Sequence, residues 1–124
     1  MRVVNILIAD SATVTRVRLC RLLSELNGVR CFGCTAEREV VLRHCRRIDP
    51  DCIAIDIPIR DSSGMRVLPE LRKQTPNCRI IVMSNQLTDA FRMNALKGGA
   101  NLVISKAREF EAVVQQAAMM KEGQ

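Results

Sequence analysis

Tyrosine and tryptophan are absent, and Phe32, Phe91 and Phe110 are the whole aromatic complement of the 124 residues. That scarcity argues against a nucleic-acid binder that stacks bases on aromatic platforms, although a net charge of +6 would permit phosphate contacts. No apolar run is long enough to cross a bilayer, and the N-terminal residues lack the apolar core of a signal peptide. With no export signal, the expected compartment is the reducing cytoplasm, where structural disulfides are rare. Histidine is scarce too. His44 stands alone, so the six cysteines lack the His partners of a mixed zinc site. Cys31 and Cys34 form a C-x-x-C, but they sit in a stretch with strand character, where residues three apart face opposite sides of a sheet. All six cysteines are therefore expected to pack as small apolar residues.

What is present is an ordinary globular composition, 48% hydrophobic and 26% charged, at a length that suits one domain over residues 1–124. Short apolar runs alternate with segments of helical period. Residues 3–9 form a buried run ending at Asp10, and Leu19, Leu22, Leu23 and Leu26 then repeat at helical spacing before Asn27-Gly28. Residues 29–34 read as a strand, and residues 36–47 as a helix with Val40, Val41 and Cys45 inward. Residues 52–56 make a third strand, and Gly64 opens a helix carrying Val67, Leu68 and Leu71. Residues 79–83 form a fourth strand, 87–97 a helix stopped by Gly98-Gly99, 102–104 a fifth strand and 110–120 a last helix. Met93, Met119 and Met120 read as core or interface filler, and Leu96 and Ala100 as core. The order is (βα)5, and near-continuous apolar strands predict a parallel sheet covered by helices on both faces.

Open sheets of this kind build their sites beyond the carboxyl ends of the strands. The residues at those ends are Asp10, Asp56, Ser84 and Lys106. Two carboxylates brought together repel unless a cation lies between them, and hard oxygen ligands suit Mg2+. A carboxylate beside such an ion can attack a phosphoryl group, and the ammonium of Lys106 and hydroxyl of Ser84 suit the phosphoryl oxygens. The loop 58–64 would let backbone groups approach the ion.

These residues resemble the motifs of response-regulator receiver domains of two-component signalling. Residues 50–57, running into Asp56, are similar to the strand that leads to the family's phosphoacceptor, and Gly64 matches the glycine that ends the following loop. Ser84 falls at the family's Ser/Thr, Lys106 at its lysine, and residues 6–10 resemble its first strand and acidic end. The resemblance covers essentially the whole chain. It implies a doubly wound, flavodoxin-like five-stranded parallel sheet of order 2-1-3-4-5. It further implies Asp56 as phosphoacceptor, with Ser84 and Lys106 as its partners. Mg2+ would be held by Asp10, Asp56 and the backbone carbonyl of Pro58, with Ser11 as a weak further ligand. The implied partners are a histidine kinase or phosphotransfer protein, a C-terminal effector domain or acidic protein, and a second copy through the face of the fourth helix, fifth strand and fifth helix. No membrane and no enzymatic turnover are implied.

The departures from the family pattern are specific. Ser11 stands where a second acid is usual, or Ala9 does if the alignment shifts by one residue, and Val103 falls at the position of the family's aromatic switch residue. Arg60 and Ala107 replace common prolines. Ser11 and Val103 motivate an alternative, a phosphorylation-independent interaction module on the same fold. Arg38, Arg43, Arg46 and Arg47 could make a basic face on the second helix, which reads more simply as a solvated surface than as a nucleic-acid site. Residues 121–124 fit either a natural tail or the start of a linker.

Overall fold

The computed structural model describes residues 2–58, 62–108 and 110–122. Five strands, β1 (Val4–Ala9), β2 (Val29–Cys34), β3 (Cys52–Asp56), β4 (Arg79–Ser84) and β5 (Leu102–Ser105), form one sheet. All pairings are parallel and the order is β2-β1-β3-β4-β5, as the sequence pattern and the resemblance predict. The helices are α1 (Thr13–Ser24), α2 (Arg38–Ile48), α3 (Ser62–Met65), α4 (Val67–Gln74), α5 (Asp89–Gly98) and α6 (Ala112–Glu122). No helix among the described residues is long and apolar enough to cross a membrane.

The strands bury both faces because successive side chains alternate across the sheet. Leu7, Ile53, Ile55, Ile80 and Val82 pack on one side against Val41 of α2, Leu68 and Leu71 of α4 and Phe91 of α5. Ile6, Ile8, Ala54, Ile81 and Met83 pack on the other against Leu19 and Leu23 of α1 and Val113 and Ala117 of α6. β2 lies at the sheet edge and is the one strand that is mostly open, with Phe32 36% exposed.

Three expectations need correction. The helix expected to run on from Gly64 is two helices, α3 and α4, separated at Arg66. Pro69 accounts for the break. In a continuous helix its ring would clash with the carbonyl of Met65, four residues back, whereas in the first turn of α4 its missing N–H costs nothing. Leu96 is not core; it is 45% exposed, because α5 turns Phe91 and Ala95 inward and leaves Leu96 about 100° round the helix from Ala95. Met93 of α5 and Met119 of α6 are exposed, which fits the interface half of their expected role and not the core half. Finally, the cysteines do not all act as packing residues. Cys34, Cys45, Cys52 and Cys78 are buried thiols, but Cys20 of α1 and Cys31 of β2 are joined by a disulfide, with Cα atoms 5.4 Å apart. Cys31 and Cys34 do face opposite sides, Cys31 toward α1 and Cys34 toward α2.

Gly99 closes α5 at φ +122°, a region that L side chains rarely adopt. A Cβ there would lie 3.0 Å from Cβ of Arg72. The guanidinium of Arg72 donates to the Gly99 carbonyl at 2.7 Å and to Asn101 Oδ1 at 2.6 Å, tying α4 to the entry of β5. Gly99→Ala is expected to lower unfolding free energy by about 1–3 kcal/mol in urea denaturation; an unchanged midpoint would contradict this account of the turn.

Candidate functional site

The parallel register assembles the site. β1 and β3 are neighbours with Ile8 opposite Ala54 and Ala9 opposite Ile55, so Asp10 and Asp56 follow side by side at the carboxyl edge. β4 places Ser84 next along that edge, and β5 pairs Ser105 with it, so that Lys106 enters from the far side. The Lys106 N–H donates to the Ser84 carbonyl at 2.9 Å, which fixes where the lysine side chain begins. All four residues expected from the strand ends thus share one edge.

Lys106 reaches both carboxylates. Its Nζ lies 2.7 Å from Asp10 Oδ2 and 3.5 Å from Asp56 Oδ1, with the lysine and Asp56 side chains each 11% exposed and Asp10 fully buried. Asp10 Oδ1 accepts from the Ala12 N–H at 2.8 Å, a local bond that turns the chain into α1. The Asp10 carbonyl accepts from Arg16 of the first turn. Asp10 Oδ2 has no hydrogen-bond partner among the described residues, so the approach of Lys106 satisfies it by charge and not by an aligned bond. Burial pushes the Asp56 carboxyl above the ordinary range, the Asp10 charge pushes it further, and Lys106 opposes both. Among the described residues one ammonium faces two buried carboxylates, which leaves the pair short of positive charge.

Ser84 is buried, and its hydroxyl donates to the Gln86 carbonyl at 3.0 Å, so at rest it is held by the loop that follows β4. Val103 is buried on β5, and its carbonyl accepts from Arg92 of α5 at 2.9 Å. A cleft of about 540 Å³ opens beside Asp56, with Ser11, Thr35, Arg38, Pro58 and Gly64 on its walls. Ser11 and Pro58 thus both line the cleft beside Asp56. Ile59, Arg60 and Asp61 of the adjoining loop, and with them the Arg60 departure, lie outside the described residues.

Two residues on this cleft were not anticipated. Thr35 follows the last residue of β2, and its hydroxyl is buried without a hydrogen-bond partner among the described residues. The strand-end rule would have found it had β2 been counted with the other four. Arg38 is committed elsewhere, donating to both Glu70 carboxylate oxygens at 2.9 and 2.6 Å, so it leaves the basic face expected of α2.

The donors suit Mg2+. They are oxygens only, the two carboxylates carry excess negative charge, and a buried carboxylate oxygen lacks a hydrogen bond. Among the described residues no three of His, Cys, Asp and Glu gather at one point. An ion here would therefore take its remaining ligands from main chain, Ser11 or water, the habit of Mg2+ more than of zinc or calcium.

The family model described as the response regulator receiver domain matches residues 6–118. The chain belongs to that family. It is 29% identical over 111 residues to the chemotaxis protein CheY of Thermotoga maritima, covering 90% of this chain and 92% of that one. It is 22% identical over 121 residues to the response regulator GacA of Pseudomonas aeruginosa, which covers 98% of this chain but 56% of GacA. The chain thus spans about half the length of that relative. Its fold matches the solved signal receiver domain of a DNA-binding response regulator from Colwellia psychrerythraea 34H, with a TM-score of 0.84, 18% identity, and coverage of 96% and 98% of the two chains. Receiver domains are regulatory modules of two-component signalling, and the family generally binds Mg2+ at its acidic site.

The raised Asp56 carboxyl gives this receiver a pH signature. Because its folded value exceeds the unfolded value near 3.8, the ionised form costs stability, and that cost appears as pH rises through the folded value. Without divalent ions, Asp56→Asn should raise the thermal midpoint at pH 8. The gain should vanish below about pH 4, where the free carboxyl is itself protonated. A pH-independent effect, or a loss of stability at pH 8, would refute the charge imbalance.

Proposed function

We propose that this receiver accepts a phosphoryl group on Asp56 and converts it into a change around the loop that follows β4. The observation that carries this reading is the shared ammonium of Lys106, 2.7 Å from Asp10 and 3.5 Å from Asp56. An Asp56 oxygen attacks the phosphorus of a phosphohistidine on a histidine kinase or phosphotransfer protein. The P–O bond forms as the P–N bond breaks, and the departing imidazole keeps the bonding pair. Asp10, Asp56 and the Pro58 carbonyl, with Ser11 contributing weakly, would hold a Mg2+ ion, which would supply charge neutralisation for the transfer. The loss of one anionic ligand at Ser11 weakens that ion's hold relative to a site with three acids.

The phosphoryl oxygens then compete for the donors already present. Lys106 is placed to give up its nearer partner, Asp10, for them. Ser84 must break its bond to Gln86, at a net cost of about 0.5–1.5 kcal/mol, and gains a charge-assisted bond roughly twice as strong. Release of the Gln86 carbonyl frees the loop that leads into the Thr88 cap of α5. The signal therefore leaves through main chain, which suits a domain with Val103 where an aromatic rotamer would otherwise turn. The face of α5, β5 and α6 carries exposed Met93, Leu96 and Met119, which supports a homodimer or an effector contact there. The greater length of GacA supports an effector domain after the receiver, and the DNA-binding response regulator whose receiver shares this fold supports transcription as its output. On this reading the domain regulates and does not turn over a substrate.

Incubation with acetyl phosphate and Mg2+, followed by peptide mass spectrometry, should place a phosphoryl adduct on Asp56. The adduct should disappear in Asp56→Asn and on chelation of the metal, and Asp10→Asn should slow its appearance at least about tenfold. An unmodified Asp56, or equal labelling of Asp56→Asn, would favour the phosphorylation-independent interaction module.

A further inference from the structure

Six cysteines divide into two chemically different sets. Cys34, Cys45, Cys52 and Cys78 lie inside the sheet-helix cores. Burial pushes the Cys34 thiol up to about 11 and those of Cys45 and Cys52 up to about 12, and it raises Cys78 as well. Such thiols form little thiolate at neutral pH and meet no reagent, so they are inert. Cys20 and Cys31 are only half-buried, packed at the margin of the α1 side of the sheet. Cys31 sits in the exposed edge strand, where the sheet has no further strand to cover it. The Cα atoms lie 5.4 Å apart, at the separation a disulfide requires without backbone movement.

We propose that Cys20 and Cys31 form a reversible, redox-responsive staple between α1 and β2, exchanging with a low-molecular-weight disulfide of the glutathione class. In the forward direction the thiolate of one cysteine attacks the small disulfide. A mixed disulfide forms, and one small thiol leaves. The second cysteine thiolate then attacks the protein sulfur of that mixed disulfide, forming the Cys20–Cys31 bond and expelling the second small thiol. Two protein thiols and one small disulfide give one protein disulfide and two small thiols, so two electrons pass to the oxidant and every proton is accounted for.

The position of the bond gives the modification a structural consequence. The bridge spans 11 residues and crosses from the middle of α1 to the centre of the edge strand. Arg16, one turn before Cys20, donates to the Asp10 carbonyl, so α1 is also the helix that clamps the chain just beyond β1. The oxidised staple restrains the unfolded chain and holds α1 against β2; reduction removes that covalent tie and leaves α1 to the packing of Leu19 and Leu23 and the Arg16 bond to Asp10. This inference does not depend on phosphorylation of Asp56, and its test involves neither phosphodonor nor metal.

The full chain should be equilibrated in glutathione buffers of rising oxidised fraction, quenched with iodoacetamide and mapped by mass spectrometry. The expected result is a Cys20–Cys31 link that accumulates with oxidised glutathione and is lost on reduction. Cys34, Cys45, Cys52 and Cys78 should alkylate only after denaturation. The oxidised protein should melt roughly 10 °C above the reduced one. Cys20→Ser and Cys31→Ser should melt near the reduced wild type, whatever the redox buffer. Absence of the link at every ratio would overturn the proposal. So would a glutathione adduct that never closes to the internal bond, or a redox-dependent melting shift that survives in Cys20→Ser. Wild-type mapping decides the matter even if a serine variant fails to fold.

Discussion

Two carboxylates and one ammonium, buried together at the carboxyl edge of the sheet, are the constraint on which the site depends. Asp10 and Asp56 end adjacent parallel strands, so the register that builds the core also forces their charges together. Lys106 is brought across by β5 and by its backbone bond to Ser84. The result is an incompletely neutralised pair. A well-packed apolar replacement would serve stability as well or better, since buried ion pairs often repay their desolvation poorly. The imbalance makes sense as chemistry: the residual negative charge invites a divalent cation, and the ammonium is ready for an incoming phosphoryl group.

The architecture separates the rigid part of this arrangement from the part that can move. β1, β3 and β4 are buried on both faces, and the carboxylates that follow β1 and end β3 inherit that rigidity. Ser84, by contrast, is held by one hydrogen bond to Gln86, in the loop that leads to the Thr88 cap of α5. Arg92 then links α5 to the Val103 carbonyl on β5. A change at the hydroxyl therefore has a short covalent and hydrogen-bonded route to the outer face of α5. That route uses main chain and an arginine, and it needs no aromatic ring.

Much of this was legible in the sequence because two simple rules agreed. Alternation of apolar runs with helical periods specified a parallel sheet, and the strand-end rule selected Asp10, Asp56, Ser84 and Lys106 before any geometry was known. The failures have equally plain causes. The break before Pro69 depends on which carbonyl its ring would strike, which becomes visible only when a helix is laid out turn by turn. Leu96 has the composition of a core residue, but its angular position about α5 is set by Phe91 and Ala95. The pairing joins Cys20 to Cys31, 11 residues later, and their contact arises from the α1–β2 packing. The orientation of Ser84 toward Gln86 is likewise a tertiary fact, invisible in spacing.

Carbon-13 NMR titration of the aspartate carboxyls, with and without Mg2+, tests the central claim most directly. The account predicts that the Asp56 carboxyl titrates above the ordinary aspartate range in the metal-free protein, and that Mg2+ lowers it as the missing positive charge is supplied. An Asp56 carboxyl that titrates as a free aspartate, and does not respond to Mg2+, would contradict the proposed charge imbalance at the heart of the site.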